Sequence, residues 1–336
     1  MFSNLTYNHY HLTLGGGTLK GLREEAEGIS LVAQLAIILE VSAYPKPGNV
    51  SRLHPFKDTS LDHFLAGGIV VGPILRRAAL KGLKAGLGKV PIERIGLGSY
   101  LVQAVRVSLA WHSGGNTNFG TLLLLVPMTA AAGFLRASEK TGVEGLGEIV
   151  KRMVKKSTVE DAIGLYQAVR IAGVGGLGKP PRGLPDASDP QALKRLRKRN
   201  LTLHKILKGC ASYDALCREL VEALPLTLKL GYPTLLEAYQ KTEDINRAVV
   251  QAYLRLLASQ PDTLIARKAG LKEAEKVSGM ALKVLKLGGA LTQKGLKETE
   301  RLNERLRTPD NRFNPGATAD LTAASLFTFL LAGFKP

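Results

Sequence analysis

A run of 17 residues, Phe119 to Leu135, is almost wholly apolar and is interrupted by Pro127. It is short for a membrane span and reads instead as a helix buried in the middle of a protein, covered on most sides by other elements. The rest of the chain sets what covers it. Apolar residues fill 45% of the 336 positions, aromatics only 6%, and glycine occurs 36 times. A core of Leu, Ala, Val and Ile, with glycines for close backbone approach, favours helix packed on helix over a β-sandwich. No convincing alternating stretch is present, whereas helical periodicity starts near Glu25. It recurs roughly through 59–84, 99–112, 118–136, 144–155, 158–172, 190–207, 212–223, 233–259, 270–288, 291–306 and 318–332. In the first helix, Leu31, Val32, Leu35, Ile38 and Leu39 share one face, which is expected to be buried. No linker divides the chain. The expectation is an all-α fold: a single bundle-like multi-helix domain over residues 25–336, with polar loops converging on one pocket. Residues 1–24 read as an N-terminal arm or poorly ordered leader.

The net charge of +18 (46 basic against 28 acidic residues) points to polyanionic partners, either nucleic acid or small phosphorylated molecules. The densest basic cluster, Lys194, Arg195, Arg197, Lys198 and Arg199, reads either as a solvated helix face or as an anion site. The two cysteines, Cys210 and Cys217, lack metal spacing and read as small buried hydrophobes. Few cysteines and no secretory signal suggest a cytoplasmic protein, with no membrane partner. A homodimer stays open. No nucleophile elbow, dinucleotide fingerprint or zinc motif occurs among the six histidines, although His54 lies beside the first polar corner and is a candidate lining residue.

Polar punctuation recurs where apolar helices stop or start. Residues 40–58 carry Glu40, then Pro45-Lys46-Pro47-Gly48-Asn49, Arg52 and Asp58; two prolines and a glycine end the helix and hold Lys46 on a stiff corner. Gly114-Gly115-Asn116-Thr117-Asn118 opens the apolar helix, Ser157 to Glu160 has capping-box spacing ahead of Asp161, and Asn314-Pro315-Gly316-Ala317-Thr318-Ala319-Asp320 opens the last helix. Capping explains each one separately. Converged, their free N–H groups and partial positive charge would bind phosphate. The glycine-rich loop from Gly173 to Asp189 reads either as a phosphate cradle or as a surface loop. Arg267 and Lys268 read either as polyphosphate ligands or as cations near a helix end. Asp58 and Asp161 are candidate Mg²⁺ ligands, because Mg²⁺ on phosphates takes one or two carboxylates. Glu40, Asp58 and Asp320 are candidate acids or bases.

At these motifs the sequence resembles the triphosphoribosyl-dephospho-coenzyme A synthase family, particularly its archaeal-type members, over roughly 28–332. The residues that carry the likeness are Glu40 to Gly48, Lys57-Asp58, Gly115-Asn116-Thr117 with Gly120, Asp161 with Tyr166, Asp262 to Gly270, and Pro315 to Leu321. The resemblance implies an all-α enzyme that moves the triphosphoribosyl group of ATP onto the 2′-hydroxyl of 3′-dephospho-CoA and releases adenine, on the way to an acyl-carrier prosthetic group. It implies phosphate contacts from Lys46, Gly48, Asn49, Arg52, Asn116, Thr117, Arg267, Lys268 and Thr318, Mg²⁺ on Asp58 and Asp161, and catalysis by Glu40, Asp58 or Asp320. This chain departs from the bacterial pattern in two places. It reads Pro55-Phe56-Lys57-Asp58 for an expected Ala-His-Lys-Asp, and Asn116-Thr117-Asn118-Phe119-Gly120 for Asn-Thr-His-Lys-Gly. The alternatives are a related ribosyl or phosphoribosyl transferase with another donor or acceptor, or a basic helical nucleic-acid-binding protein.

Overall fold

The computed structural model describes residues 19–138, 143, 145–174 and 183–336. The described residues form helices joined by turns, with no strand and a single isolated bridge between Ser51 and His54. In chain order they are α1 Leu19–Ser42, α2 Leu61–Val70, α3 Gly72–Gly86, α4 Leu97–Ala110, α5 Phe119–Ala137, α6 Leu146–Lys155, α7 Val159–Ala172 and α8 Ala192–Lys198. Then come α9 Leu203–Cys210, α10 Ala215–Val221, α11 Tyr232–Thr242, α12 Ile245–Ser259, α13 Thr263–Ala269, α14 Leu271–Lys286, α15 Gln293–Leu306 and α16 Gly316–Leu331.

Helix α5 is the centre. Every residue from Thr121 to Gly133 is buried, with α1, α3, α4, α6 and α16 around it. It is long and apolar enough to cross a membrane by composition, but the surrounding helices enclose it. The α3–α5 contact is a small-residue seam: any side chain at Gly82 would collide with the Ala130 carbonyl, and any at Gly133 with that of Ala79. Buried hydroxyls on α16 do not spoil an apolar helix where they bond back to its own carbonyls. Thr322, Ser325 and Thr328 on α16 donate to the carbonyls of Thr318, Leu321 and Ala324 at 2.8–3.0 Å.

The expected helices are found, but three of their spans are divided. The 59–84 span breaks at Val71, where Pro73 cannot donate a backbone bond, and bends by 41°. The 190–207 span breaks at Asn200 and the 233–259 span at Glu243, both at positive φ (49° and 51°). Helix α1 begins at Leu19, so residues 19–24 belong to it, and the rest of the expected arm lies outside the described residues. Its buried face is also corrected. Leu31 is 57% exposed, and Val32, Leu35, Ile38 and Leu39 are half-buried. The buried positions are Ala26, Ile29, Ala33, Ala36, Ile37 and Val41, since small residues let α1 lie close against α3 and α16.

The cysteines are corrected as well. Cys210 and Cys217 form a disulfide between the end of α9 and α10, with their Cα atoms 5.9 Å apart. The cytoplasmic expectation therefore loses the support it drew from them. In the basic cluster, Arg195 pairs with Asp189 at 2.6 Å and Arg197 with Glu160 at 3.2 Å, on the surface.

Candidate active site

The first corner forms a floor rather than a phosphate grip. Helix α1 stops at Ser42, ahead of Pro45 and Pro47, which leaves Glu40 buried in its last turn. Lys46 is fully buried: its ammonium donates to Glu40 Oε1 at 2.5 Å and to Asn49 Oδ1 at 3.1 Å. Burial pushes the Glu40 carboxyl up and the Lys46 ammonium down from their ordinary ranges, and each partner's charge pulls the other back toward ionisation. Lys46 is thus corrected from a phosphate ligand to the counter-ion of Glu40. Gly48 is structural, with φ of 73°, where a side chain would be strained, and its N–H donates to Asn303 Oδ1 at 3.1 Å. Asn49 faces inward and donates to Asn314 Oδ1 at 2.8 Å, linking this corner to the start of α16. Arg52 is exposed and lines neither cavity.

Asp262 fixes the opposite wall. Its Oδ1 caps α13 by accepting from the N–H groups of Leu264 and Ile265 at 2.8 and 3.1 Å. Its Oδ2 accepts from the Thr318 N–H and hydroxyl, both at 2.7 Å. Thr318 is therefore a tie between α13 and α16, not a phosphate ligand. Two residues beyond that tie, Asp320 lies against the start of α5, where Thr121 Oγ1 donates to Asp320 Oδ1 at 2.6 Å. A side chain at Gly120 would collide with the Asp320 carboxyl, so this contact requires glycine there. The Asp320 carboxyl is pushed up to about 8. Burial is the main cause; the Thr121 hydroxyl opposes it, and the charges of Glu40, Asp262 and Asp214 add to it.

Two cavities meet at this point. The polar one, about 190 Å³, is lined by the amides of Asn49, Asn116, Asn118, Asn311 and Asn314 and by the carboxyls of Glu40, Asp58 and Asp320, with Lys268 as its cation. Thr117 lines it too, its hydroxyl 3.3 Å from His112 Nε2, and Asn116 holds the helix start by accepting from the Phe119 N–H at 3.2 Å. The second cavity, about 220 Å³, is largely apolar and shares Asn116, Phe119, Gly120, Leu264 and Asp320 with the first. Arg267 lines this second chamber and is paired with Asp214 there, which corrects its expected place among the phosphates.

The 157–161 corner is not part of the site. Its cap is Thr158, one residue later than the expected Ser157, and the box closes on Asp161. Asp161 accepts from the Gly98 N–H at 3.0 Å, the Thr158 N–H at 2.8 Å and the Thr158 hydroxyl at 2.9 Å, which ties α7 to α4. It lines neither of the two joined cavities, and its oxygens are committed to the fold, which removes it from the candidate metal ligands. Asp58 does line the polar cavity, beside the Gly115 backbone. His54 lies outside both cavities, 3.3 Å from Asn303 Nδ2. Residues 175–182 of the glycine-rich 173–189 stretch, including Gly175 to Lys179, are outside the described residues.

Asn314 stands in the motif that opens the last helix but was not named as a site residue; sequence reasoning also missed Thr121 and Asn311, which carry no motif of their own, and it missed Arg307. That residue follows α15, donates to the Asn49 carbonyl at 3.3 Å and to the Pro55 carbonyl, and stacks 5.5 Å over the Phe56 ring. Phe56 lines the polar cavity where a histidine was expected. The Arg–Phe stack therefore brings a cation to the neighbourhood of that position from another helix. Phe119, where a lysine was expected, forms part of the partition between the cavities.

Comparison with known proteins agrees with this architecture. A Pseudomonas fluorescens protein named "Probable 2-(5''-triphosphoribosyl)-3'-dephosphocoenzyme-A synthase" is 25% identical over 303 residues, covering 90% of each chain. An Escherichia fergusonii 2-(5''-triphosphoribosyl)-3'-dephosphocoenzyme-A synthase is 22% identical, again over 90% of each. A Stutzerimonas stutzeri relative is 28% identical over a shorter match, 49% of this chain and 57% of that protein. A solved structure named "Crystal structure of putative triphosphoribosyl-dephospho-coA synthase from Archaeoglobus fulgidus" has the same fold, with a TM-score of 0.60, 24% identity, 81% of this chain covered and all of that one. The family profile matches residues 26–335, nearly the whole length, and the chain belongs to the ATP:dephospho-CoA triphosphoribosyl transferase family.

Proposed function

We propose that this chain transfers the triphosphoribosyl group of ATP to the 2′-hydroxyl of 3′-dephospho-CoA and releases adenine. The observation that carries the reading is a pair of carboxyls on one polar cavity with opposite surroundings. Glu40 has a cation 2.5 Å away, whereas Asp320 has one hydroxyl partner and like charges around it. Environments that differ in this way assign base and acid. The C1′–N bond of the donor breaks with its electron pair leaving on adenine, which takes the Asp320 proton. The C1′–O bond forms as the acceptor hydroxyl yields its proton to the Glu40 carboxylate. The Glu40 charge, facing the cavity, stabilises the positive character that develops at C1′.

The five cavity amides, Lys268 and the starts of α5 and α16 offer donors to the triphosphate. With a single cation among its lining residues, the cavity suits a polyphosphate that arrives with part of its charge already neutralised. Mg²⁺ fits that need. Among the described residues no group of three or more His, Cys, Asp or Glu is placed to hold a metal, so the ion would be the substrate-borne kind, met by Asp58. When bound, it would neutralise phosphate charge.

Phe56 and Phe119 favour a second reading, the same ribosyl transfer to a different phosphorylated acceptor. Incubating the protein with ATP, Mg²⁺ and dephospho-CoA, and following adenine and the coupled product by mass spectrometry, tests both. Adenine release that requires dephospho-CoA supports the first reading. Release only with another acceptor supports the second, and no release with any acceptor refutes the transferase reading.

A further inference from the structure

The apolar chamber beside Asp320 has no role in the scheme so far. It opens onto the polar cavity at the carboxyl that gives up the proton, and its body is formed by Leu123, Leu165, Tyr166, Leu207, Tyr213 and Leu216. The Tyr166 hydroxyl is spent on the Pro185 carbonyl at 2.8 Å, so its ring is anchored and presents an apolar surface. The Cys210–Cys217 disulfide joins two helices of the wall covalently. One donor of a wall residue has no partner among the described residues: Arg267 Nε is buried and unbonded, although the same guanidinium is held by Asp214. A buried donor without an acceptor is costly, and a ligand that brings an acceptor relieves the cost. The chamber therefore suits a flat, mostly apolar body with a ring acceptor, seated on the far side of Asp320 from the phosphates.

We propose that this chamber is the subsite for the purine of the donor nucleotide, with Tyr166 and Tyr213 forming its walls and Arg267 Nε donating to a ring nitrogen. The proposal rests on the transferase reading and deepens it. A base seated there is joined to its ribose at the junction of the cavities. Its leaving nitrogen faces the Asp320 carboxyl, and the triphosphate extends into the amide-lined space. Release of adenine then leaves the sugar on the polar side, where the acceptor hydroxyl meets it. The long arm of the acceptor would lie outside the chamber.

The test is binding of three separate probes to the full chain by calorimetry: free adenine, free pantetheine and inorganic tripolyphosphate. Tyr213 is 42% exposed, so Tyr213→Ala is expected to keep the fold, and Leu165→Trp, which fills the chamber, is a second variant whose melting midpoint is checked. Adenine is expected to bind the wild-type chain and to weaken by about tenfold or more in both variants, while tripolyphosphate binding stays unchanged. Arg267→Lys, which removes the Nε–H but keeps the charge, should weaken adenine more than tripolyphosphate. Adenine that fails to bind, or binds all variants equally, overturns the proposal. So does pantetheine binding that is sensitive to Leu165→Trp while adenine binding is not. Failure of tripolyphosphate to bind while adenine binds would count against the polar-cavity reading and leave the chamber assignment standing.

Discussion

Asp161 and Asp320 look alike along the chain, each an acid just inside a helix opened by small polar residues, yet the fold treats them in opposite ways. Asp161 accepts three hydrogen bonds within 3.0 Å and joins two helices. Asp320 accepts one, from Thr121, and turns the rest of its carboxyl toward two cavities and toward the like charges of neighbouring acids. A carboxyl whose oxygens are taken up by donors from two helices belongs to the structure. One left with few donors in a buried, acidic setting keeps its proton and has it to give. The difference lies in the partners, not in the residue or in its position along the helix.

Substitutions break the comparison in a definite order. Asp320→Asn keeps the shape and removes the proton donor, so the rate of adenine release should fall by about 10²–10⁴-fold with the melting midpoint little changed. Lys46→Met should be the most destabilising change, about 3–5 kcal/mol in denaturant unfolding, because Glu40 would be left buried without its counter-ion. Activity should decline roughly tenfold per unit as pH rises beyond about 8, where Asp320 loses its proton. Stability follows the same sign. A carboxyl raised in the folded state contributes fully below its unfolded value of 3.8, and that contribution is lost as pH climbs through about 8; titrating the unfolding free energy of wild type against Asp320→Asn isolates it. The smallest effect is at the other aspartate. Asp161→Ala should cost about 1–3 kcal/mol, because the Gly98 and Thr158 N–H groups lose their acceptor, and leave turnover per folded molecule unchanged.

The sequence carried the helices well where periodicity was long and punctuation clear. The apolar core helix, the Asn116 start and the Pro315-Gly316 start stand close to where the pattern put them, because prolines and glycines act on the backbone locally. The convergence of Glu40, Asn49, Asp58, Asn116, Lys268 and Asp320 on one cavity was also legible, since several polar corners in an otherwise apolar chain favour a shared site. Direction was not. Lys46 turns inward to Glu40, and Thr318 is claimed by Asp262, from 56 residues away. Arg267 faces the apolar chamber while its neighbour Lys268 faces the polar one, a choice set by the pairing with Asp214. The broad leucine face of α1 misled for a related reason: hydrophobic periodicity marks apolar positions, but the closest packing in this protein runs through alanine and glycine.

The central claim is that Asp320, held protonated between the two cavities, delivers its proton to the departing adenine while Glu40 receives one from the acceptor. Its most direct test is the pH profile of single-turnover adenine release from ATP in the presence of dephospho-CoA, comparing wild type with Asp320→Asn. The account predicts a wild-type rate that falls with an apparent pKa near 8, and a variant that is slow at every pH and has lost that limb. A variant as fast as wild type, or one that keeps the same falling limb, would contradict it.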